Sequence, residues 1–363
     1  MNTESLRALC FGSPDEIVGA RRMAHGRVLL SCRTRAALGL AVLISCGPGV
    51  PHYGAGWTHG PALPEPVQEI QAAVLQGRIF VAGGFRTGNS ASAAVYRLDP
   101  AAGRWARVAD LPEPRHHMPL AVLNDSLYAI GGLGPGGLVP VSTLWLYDVA
   151  GDRWLTRAPL PEPRGASAAA VVGGRIVVVG GMGVGGSLPD SIAIYDPGAD
   201  HWRHGAPVPT RGDHLAAAVV GGKVFAVGGR PLDPDRNFDR LETYDPESGT
   251  WSRAAPMPTA RGGLAAVALG DRIYTFGGET NHRVFGEHEV YDARSGGWSA
   301  APPLPTPRHG LAAAVVGNRI YVIGGGPRPG LAQTDVVEIY TPSAEVAPVE
   351  VGLRFPPFLT LIL

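Results

Sequence analysis

Short hydrophobic segments bounded by turn residues recur along most of this chain. A typical segment is Arg319–Ile323, which is rich in β-branched and aromatic side chains and ends at a Gly-Gly pair. Such segments are too short for helices and are typical of buried strands. Each unit also contains a tyrosine segment, a tryptophan segment and an Ala/Val segment such as Leu215–Val220. The pattern therefore predicts four strands per unit and an all-β chain.

The units recur with a period of 47 to 49 residues, measured between the first glycines of the Gly-Gly pairs: Gly83, Gly131, Gly180, Gly228, Gly277 and Gly324. A tyrosine follows each pair, at Tyr96, Tyr147, Tyr195, Tyr244, Tyr291 and Tyr340. Five units continue with a tryptophan, at Trp105, Trp154, Trp202, Trp251 and Trp298. Four antiparallel strands repeated at this period predict a β-propeller.

The ordered Gly-Gly, Tyr-Asp, Trp and Pro-x-x-Arg signature resembles the kelch repeat, and the resemblance covers residues 57–341. The sixth unit lacks its tryptophan after Tyr340, whereas Trp57 stands alone before the first unit. By resemblance to kelch propellers, the N-terminal strand carrying Trp57 pairs into the last blade and closes the ring. We therefore predict a six-bladed kelch β-propeller. The first unit departs from the pattern, because Val67, Gln68 and Glu69 stand where an arginine-containing entry is expected.

Composition and charge exclude several classes of protein. The 363 residues include 51 glycines and 34 prolines, too many for a helical protein, and 45% are hydrophobic, which argues against disorder. Basic and acidic residues balance at 31 each. This balance predicts no phosphate-binding surface, so nucleic acid is not an expected partner. We expect a monomer.

The N-terminal region indicates export. Residues 23–45 combine several arginines with a short apolar segment, as in a signal peptide. The segment ends at Leu43-Ile44-Ser45-Cys46, which resembles a bacterial lipobox and implies acylation of Cys46. We expect a periplasmic or outer-membrane lipoprotein, or otherwise a secreted protein. Residues 1–22 resemble no signal sequence, residues 46–56 form a linker, and the Pro-rich and apolar tail, 342–363, is unassigned.

Candidate functional residues are those that differ between the units. By resemblance, the loops that enter the inner strands and those that follow Gly-Gly lie on one face of the propeller. The candidate ligand-binding residues in these loops are Arg86, His116, His117, Asp213, His214, Arg230, His282, His309 and Arg328. The repeated arginines are instead expected to support the blades: Arg115, Arg164, Arg211, Arg261 and Arg308.

Three interpretations are open for these loops. They can form a polar pocket for a sugar or peptide, or their histidines can serve only to satisfy backbone groups. A divalent metal site would use His117, His214 and His309, since imidazoles suit such ions. Against it, His116 and His117 are adjacent on a predicted strand and should point to opposite sides. We therefore assign no metal and no cofactor.

The leading hypothesis for function is an exported binding module without catalysis that presents one propeller face to a protein, peptide or glycan. The alternative is a carbohydrate-active enzyme, similar to the sialic-acid epimerases and mutarotases found among exported kelch propellers. In that case Glu69 or Glu279 would transfer a proton, and Arg86, Arg230 or Arg328 would hold a carboxylate. Galactose-oxidase-like copper chemistry is not expected, because its Tyr–Cys crosslink needs a cysteine, and Cys10, Cys32 and Cys46 all precede the propeller.

Overall fold

The computed structural model describes residues 56–343. The predicted signal peptide, Cys46 and the tail beyond residue 343 lie outside this range. Within it, the strands form six four-stranded antiparallel sheets and one small three-stranded sheet. No helix among the described residues is long and apolar enough to cross a membrane.

Each four-stranded sheet is one blade, and the order of its strands below runs from the centre of the propeller outward. Blade 1 contains Gln71–Leu75, Arg78–Ala82, Val95–Asp99 and Arg104–Val108. Blade 2 contains Leu120–Leu123, Ser126–Ile130, Leu144–Asp148 and Arg153–Arg157. Blade 3 contains Ala168–Val172, Arg175–Val179, Ser191–Asp196 and His201–Pro207. Blade 4 contains Ala216–Val220, Lys223–Val227, Leu241–Asp245 and Thr250–Arg253. Blade 5 contains Ala265–Leu269, Arg272–Phe276, His288–Asp292 and Gly297–Ala300.

Blade 6 is built from both ends of the described chain. It contains Ala312–Val316, Arg319–Ile323 and Val337–Tyr340, with Trp57–His59 as its outer strand. Trp57 pairs with Tyr340, and its indole N–H donates a 3.0 Å hydrogen bond to the carbonyl of Pro302 in the link from blade 5. The inner strands contact one another in sequence, and that of blade 6 contacts that of blade 1. The predicted closure by the Trp57 strand is confirmed.

Two short elements lie in the loops. The small sheet consists of Val67–Gln68, Phe85–Arg86 and Ser90–Ala91, and a 3₁₀ turn spans Val184–Gly186. The small sheet joins the entry to blade 1 to the loop that follows the first Gly-Gly pair.

The Gly-Gly pairs are explained by close backbone approach and positive φ. Gly277 has a φ of +64°, and a Cβ atom there would lie 2.2 Å from the carbonyl oxygen of Arg308. The next amide, of Gly278, donates a 3.0 Å hydrogen bond to that same carbonyl. Only glycine combines this conformation with room for the neighbouring chain.

Buried arginines hold the links between blades, as expected for residues that recur in nearly every unit. Arg261 and Arg308 donate to the carbonyls of Gly277 and Gly324, respectively, and neither side chain is exposed. Glu289 and Glu338 on the third strands of their blades balance these charges. The guanidinium groups of Arg261 and Arg308 are thereby paired with acceptors in their links.

Arg211 does not occupy the repeat position predicted for it. Its side chain is 58% exposed and pairs with Asp190, whereas Gly212 takes the equivalent place, since its carbonyl accepts from the Gly-Gly amide of the preceding blade. Arg240 fills the gap from a different segment and donates from Nε to the carbonyl of Gly228. The blade therefore keeps a buried arginine on the same acceptor, although the arginine comes from another part of the repeat.

Candidate functional site

A closed ring of backbone hydrogen bonds surrounds the propeller axis where the inner strands begin. Each blade supplies one residue, and its N–H donates to the carbonyl of the residue one blade back, at 2.7 to 3.0 Å. We call this set the axial ring: Glu69, His117, Ala166, His214, Gly263 and Gly310. All six residues have positive φ, between 50° and 67°. The conformation is set by the ring and is the same whichever side chain is attached.

Three side chains of the axial ring converge. Oε2 of Glu69 lies 3.1 Å from Nε2 of His117, and that nitrogen lies 3.0 Å from Nε2 of His214. The other ring positions are alanine or glycine and contribute no polar side chain. A small cavity of about 30 Å³ is lined by the ring residues and those that follow them. The propeller axis therefore carries a carboxylate and two imidazoles beside open space.

The residues preceding the ring positions support these side chains. Asp213 accepts a 2.6 Å hydrogen bond from Nδ1 of His214, and the two Nδ1 atoms of His116 and His117 are also 2.6 Å apart. The expectation that His116 and His117 point to opposite sides is wrong. Strand alternation needs extended backbone, and the positive φ of His117 turns its ring toward its neighbour.

Glu69 also connects the three converging side chains to a second group of ionisable residues, which consists of His309, Glu279 and Arg230. Nδ1 of His309 lies 3.4 Å from Oε1 of Glu69 and 3.3 Å from Oε2 of Glu279. Arg230 donates a 3.0 Å hydrogen bond to the other oxygen of Glu279. Both candidate proton-transfer carboxylates, Glu69 and Glu279, therefore contact the same imidazole.

Burial and neighbouring charges shift the acidities in opposite directions. Burial lowers the pKa of His117 to about 3, so this imidazole is neutral near pH 7. Burial also works against ionisation of Glu69, but the surrounding histidines, His117 foremost, hold its pKa well below the ordinary value. Burial alone would lower the pKa of His309, but the hydrogen bond and charge of Glu69 and the charge of Glu279 raise it. His309 therefore favours its cationic form between two carboxylates.

Three predicted ligand-binding residues lie outside this cluster. Arg86 is exposed and donates to Ser90, and the side chain of His282 is 84% exposed beside Asp235. Arg328 is exposed and contributes its backbone carbonyl, which lies 3.2 Å from Nε2 of His309. The structure brings the other six predicted residues together: His116, His117, Asp213, His214, Arg230 and His309.

Sequence reasoning missed the apolar residues exposed on the same face. Among the described residues, six large hydrophobic side chains are exposed. Five of them belong to loops that follow Gly-Gly pairs, and we call these five the apolar loop residues: Leu138, Val139, Val184, Leu232 and Leu331. The sixth, Val149, lies in the turn between the two outer strands of blade 2, at the other end of the propeller. Their hydrophobicity was visible in the sequence, but their exposure was not.

The buried cluster holds these loops in place. The amide of Leu232 donates to Asp213, and the amide of Gly330, next to Leu331, donates to Glu279. The ring of His116 lies 3.3 Å from the carbonyl of Gly137, next to Leu138. Polar residues that the sequence suggested as ligand contacts are therefore largely internal, and they fix the loops that carry the exposed apolar side chains.

Comparison with known proteins agrees with the fold. The sequence pattern of the Attractin/LZTR1 β-propeller family matches residues 79–337. The solved structure of YjhT superposes with a TM-score of 0.67 at 18% sequence identity, covering 78% of this chain and 99% of that one. At this identity the likeness shows the fold alone. No curated protein matches the sequence.

Proposed function

Because the chain belongs to the Attractin/LZTR1 β-propeller family, we propose that it acts as a binding module whose Gly-Gly loops dock a protein segment. The observation that carries the proposal is the placement of the apolar loop residues. They come from four different blades, and exposed apolar groups concentrated on one face mark interaction sites. A partner with apolar side chains suits this face better than a glycan, whose surface is dominated by hydroxyl groups.

The loops are arranged for binding without large rearrangement. Neighbouring loops are linked by side-chain hydrogen bonds, from Gln333 to Asn89 and from Asn281 to Asp235. Together with the anchors to Asp213 and Glu279, these bonds limit the ordering that a partner would have to induce. Pre-organisation of this kind lowers the entropic cost of association.

The enzymatic alternative receives less support from the geometry. An acidic sugar needs a free arginine beside the proton-transfer group. Arg86 and Arg328 lie outside the cluster, and Arg230 is already paired with Glu279. The Nε of Arg230 has no hydrogen-bond partner among the described residues, but it is buried and does not reach the surface.

We expect a variant with all five apolar loop residues changed to serine to lose binding. The full-length protein is screened on peptide and glycan arrays, and each hit is measured again with the variant. Peptide hits should weaken about tenfold or more, as is usual when the apolar centre of an interface is removed. Serine at exposed positions should leave folding intact.

The matched control is Val149→Ser, which removes an exposed apolar side chain from the opposite end and should leave every affinity unchanged. Hits that keep full affinity in the five-residue variant would move the binding site off this face. Mutarotation of a sialic acid above the buffer rate by the wild-type protein would instead favour the enzyme.

We also propose that the protein is exported and held at a membrane by acylation of Cys46, on the strength of the lipobox-like Leu43–Cys46 sequence. Cys46→Ser should move the protein from the membrane fraction to the soluble fraction, because no acyl chain can be attached. Mass spectrometry of the wild-type protein should find an acylated N-terminal peptide. An unchanged distribution for the variant would refute the anchor.

A further inference from the structure

The hydrogen-bond partners around the axial ring determine where the histidine protons lie. Asp213 can only accept, so it holds a proton on Nδ1 of His214 and leaves Nε2 as the ring nitrogen that can offer a lone pair. The carbonyl of Gly137 likewise can only accept, so His116 bears its proton on Nε2 and a lone pair on Nδ1. His117, whose Nδ1 faces that lone pair at 2.6 Å, must donate from Nδ1.

This assignment leaves three acceptors facing one another without a donor. They are Oε2 of Glu69, Nε2 of His117 and Nε2 of His214, and the two measured separations are 3.1 and 3.0 Å. Three lone pairs this close repel one another unless a positive charge lies between them. Their partners are fixed by the surrounding network, so rotating a ring to relieve the contact would break a hydrogen bond to Asp213 or His116.

We propose that Glu69, His117 and His214 bind one divalent first-row transition metal ion on the propeller axis. Two imidazoles and one carboxylate are the ligand set of many zinc and non-haem iron sites. Ligand atoms about 2.1 Å from such an ion lie about 3.0–3.4 Å from each other in octahedral or tetrahedral geometry, which matches the two measured separations. All three candidate ligand atoms lie within 4.8 Å of one another.

The supporting residues resemble those of a built metal site. Asp213 orients His214 through a carboxylate–imidazole hydrogen bond, and its other oxygen is held by the amide of Leu232. His116 orients His117 through a contact between the two imidazoles, whose Nδ1 atoms are 2.6 Å apart. Each imidazole is therefore held at Nδ1, the ring nitrogen that would not bind the metal, as is usual for ligating histidines.

The ring backbone imposes its positive φ on these three larger side chains as well as on the small ones. Positive φ is comfortable for glycine, and two ring positions, Gly263 and Gly310, use it. Glu69, His117 and His214 adopt the same conformation with larger side chains, which is less favourable. Backbone strain of this kind clusters at functional sites. With alanine or glycine at the other positions, the ion would keep open coordination sites toward the cavity.

The test measures metal binding by the full-length protein, produced without a polyhistidine tag and freed of metal with a chelator. Zn²⁺ is titrated by calorimetry and Co²⁺ by its visible absorption, which reports coordination geometry. We expect one high-affinity equivalent. His117→Ala and His214→Ala should each weaken it by about 100-fold or more, beyond the loss usual for a supporting residue.

His282→Ala is the matched control, because this histidine lies on the same face but is 84% exposed and outside the ring. Its removal should leave the high-affinity equivalent unchanged. Equal affinity in wild type and His117→Ala, or affinity lost only in His282→Ala, would show adventitious surface binding and overturn the proposal. Absence of metal binding by the wild type would do the same, and would indicate a proton shared between the imidazoles.

Asp213→Asn tests the orienting role of Asp213 separately from the metal-binding role of His214. The amide oxygen can still accept from the Leu232 amide, but the amide nitrogen cannot accept from Nδ1 of His214. We expect Co²⁺ affinity to fall about 10- to 100-fold with one cobalt still bound. If an alanine variant fails to fold without metal, Glu69→Gln and anomalous diffraction from the Zn²⁺-loaded wild type decide the question. An ion found away from both Nε2 atoms would refute the site, whereas the docking proposal does not depend on it.

Discussion

Trp57→Ala is expected to destabilise the propeller by about 3–5 kcal/mol, the usual cost of truncating a buried tryptophan. Its side chain is 4% exposed, packs 5.0 Å from the ring of Tyr340 and donates to Pro302. The three-residue strand Trp57–His59 is the one strand of blade 6 that is not consecutive in sequence with the other three, so hydrogen bonds and packing alone hold it in the blade. Weakening it exposes the edge of Val337–Tyr340, so the substitution should also open the ring locally.

Trp202→Ala is a closely matched control for this experiment. Trp202 is 5% exposed, lies 5.0 Å from the ring of Tyr195 and donates to the carbonyl of Ala158. Its strand is continuous with its own blade, so both variants should lose similar packing energy. Amide hydrogen exchange in Val337–Tyr340 should accelerate in Trp57→Ala alone. Equal protection of that strand in both variants would contradict closure by the N-terminal strand.

Arg308→Leu is expected to cost a comparable 3–5 kcal/mol, since removing one partner of a buried ion pair leaves the other charge uncompensated. Neither Arg308 nor Glu338 is exposed, and their N–O distance is 2.5 Å. The arginine also donates to the carbonyls of Gly324 and Val322, which would lose a hydrogen bond. Urea unfolding of the wild type and the variant measures the difference.

The double variant Arg308→Leu, Glu338→Leu should recover a large part of this loss, because it leaves no unpaired buried charge. Arg294→Leu is the surface control: its side chain is 80% exposed, and its ion pair with Asp271 should contribute less than about 1 kcal/mol. A double variant no more stable than Arg308→Leu would mean that the lost backbone hydrogen bonds, rather than the unpaired charge, dominate.

The blade architecture could be predicted because it depends on local sequence features that recur at a regular period. Turn glycines, strand-forming segments and cross-strand Tyr–Trp pairs recur at one spacing, and each blade repeats the same local solution. The missing tryptophan after Tyr340 and the additional Trp57 then predicted the closing strand. Arg211 shows where counting residues along the repeat fails. Gly212, one residue later, occupies the repeat position predicted for Arg211, and only the packing shows that Arg240 supplies the buried arginine of this blade.

The sequence alone determined the all-β class, the six blades, the closing strand and the face that collects the unrepeated polar residues. Tertiary structure decided which of those residues meet. Glu69, His117 and His214 belong to different blades, and they converge only because the axial ring imposes one backbone conformation on all six. It also decided that the charged residues are buried while the apolar loop residues face solvent. Burial and convergence depend on how blades pack around an axis, a long-range property that no local pattern of residues encodes.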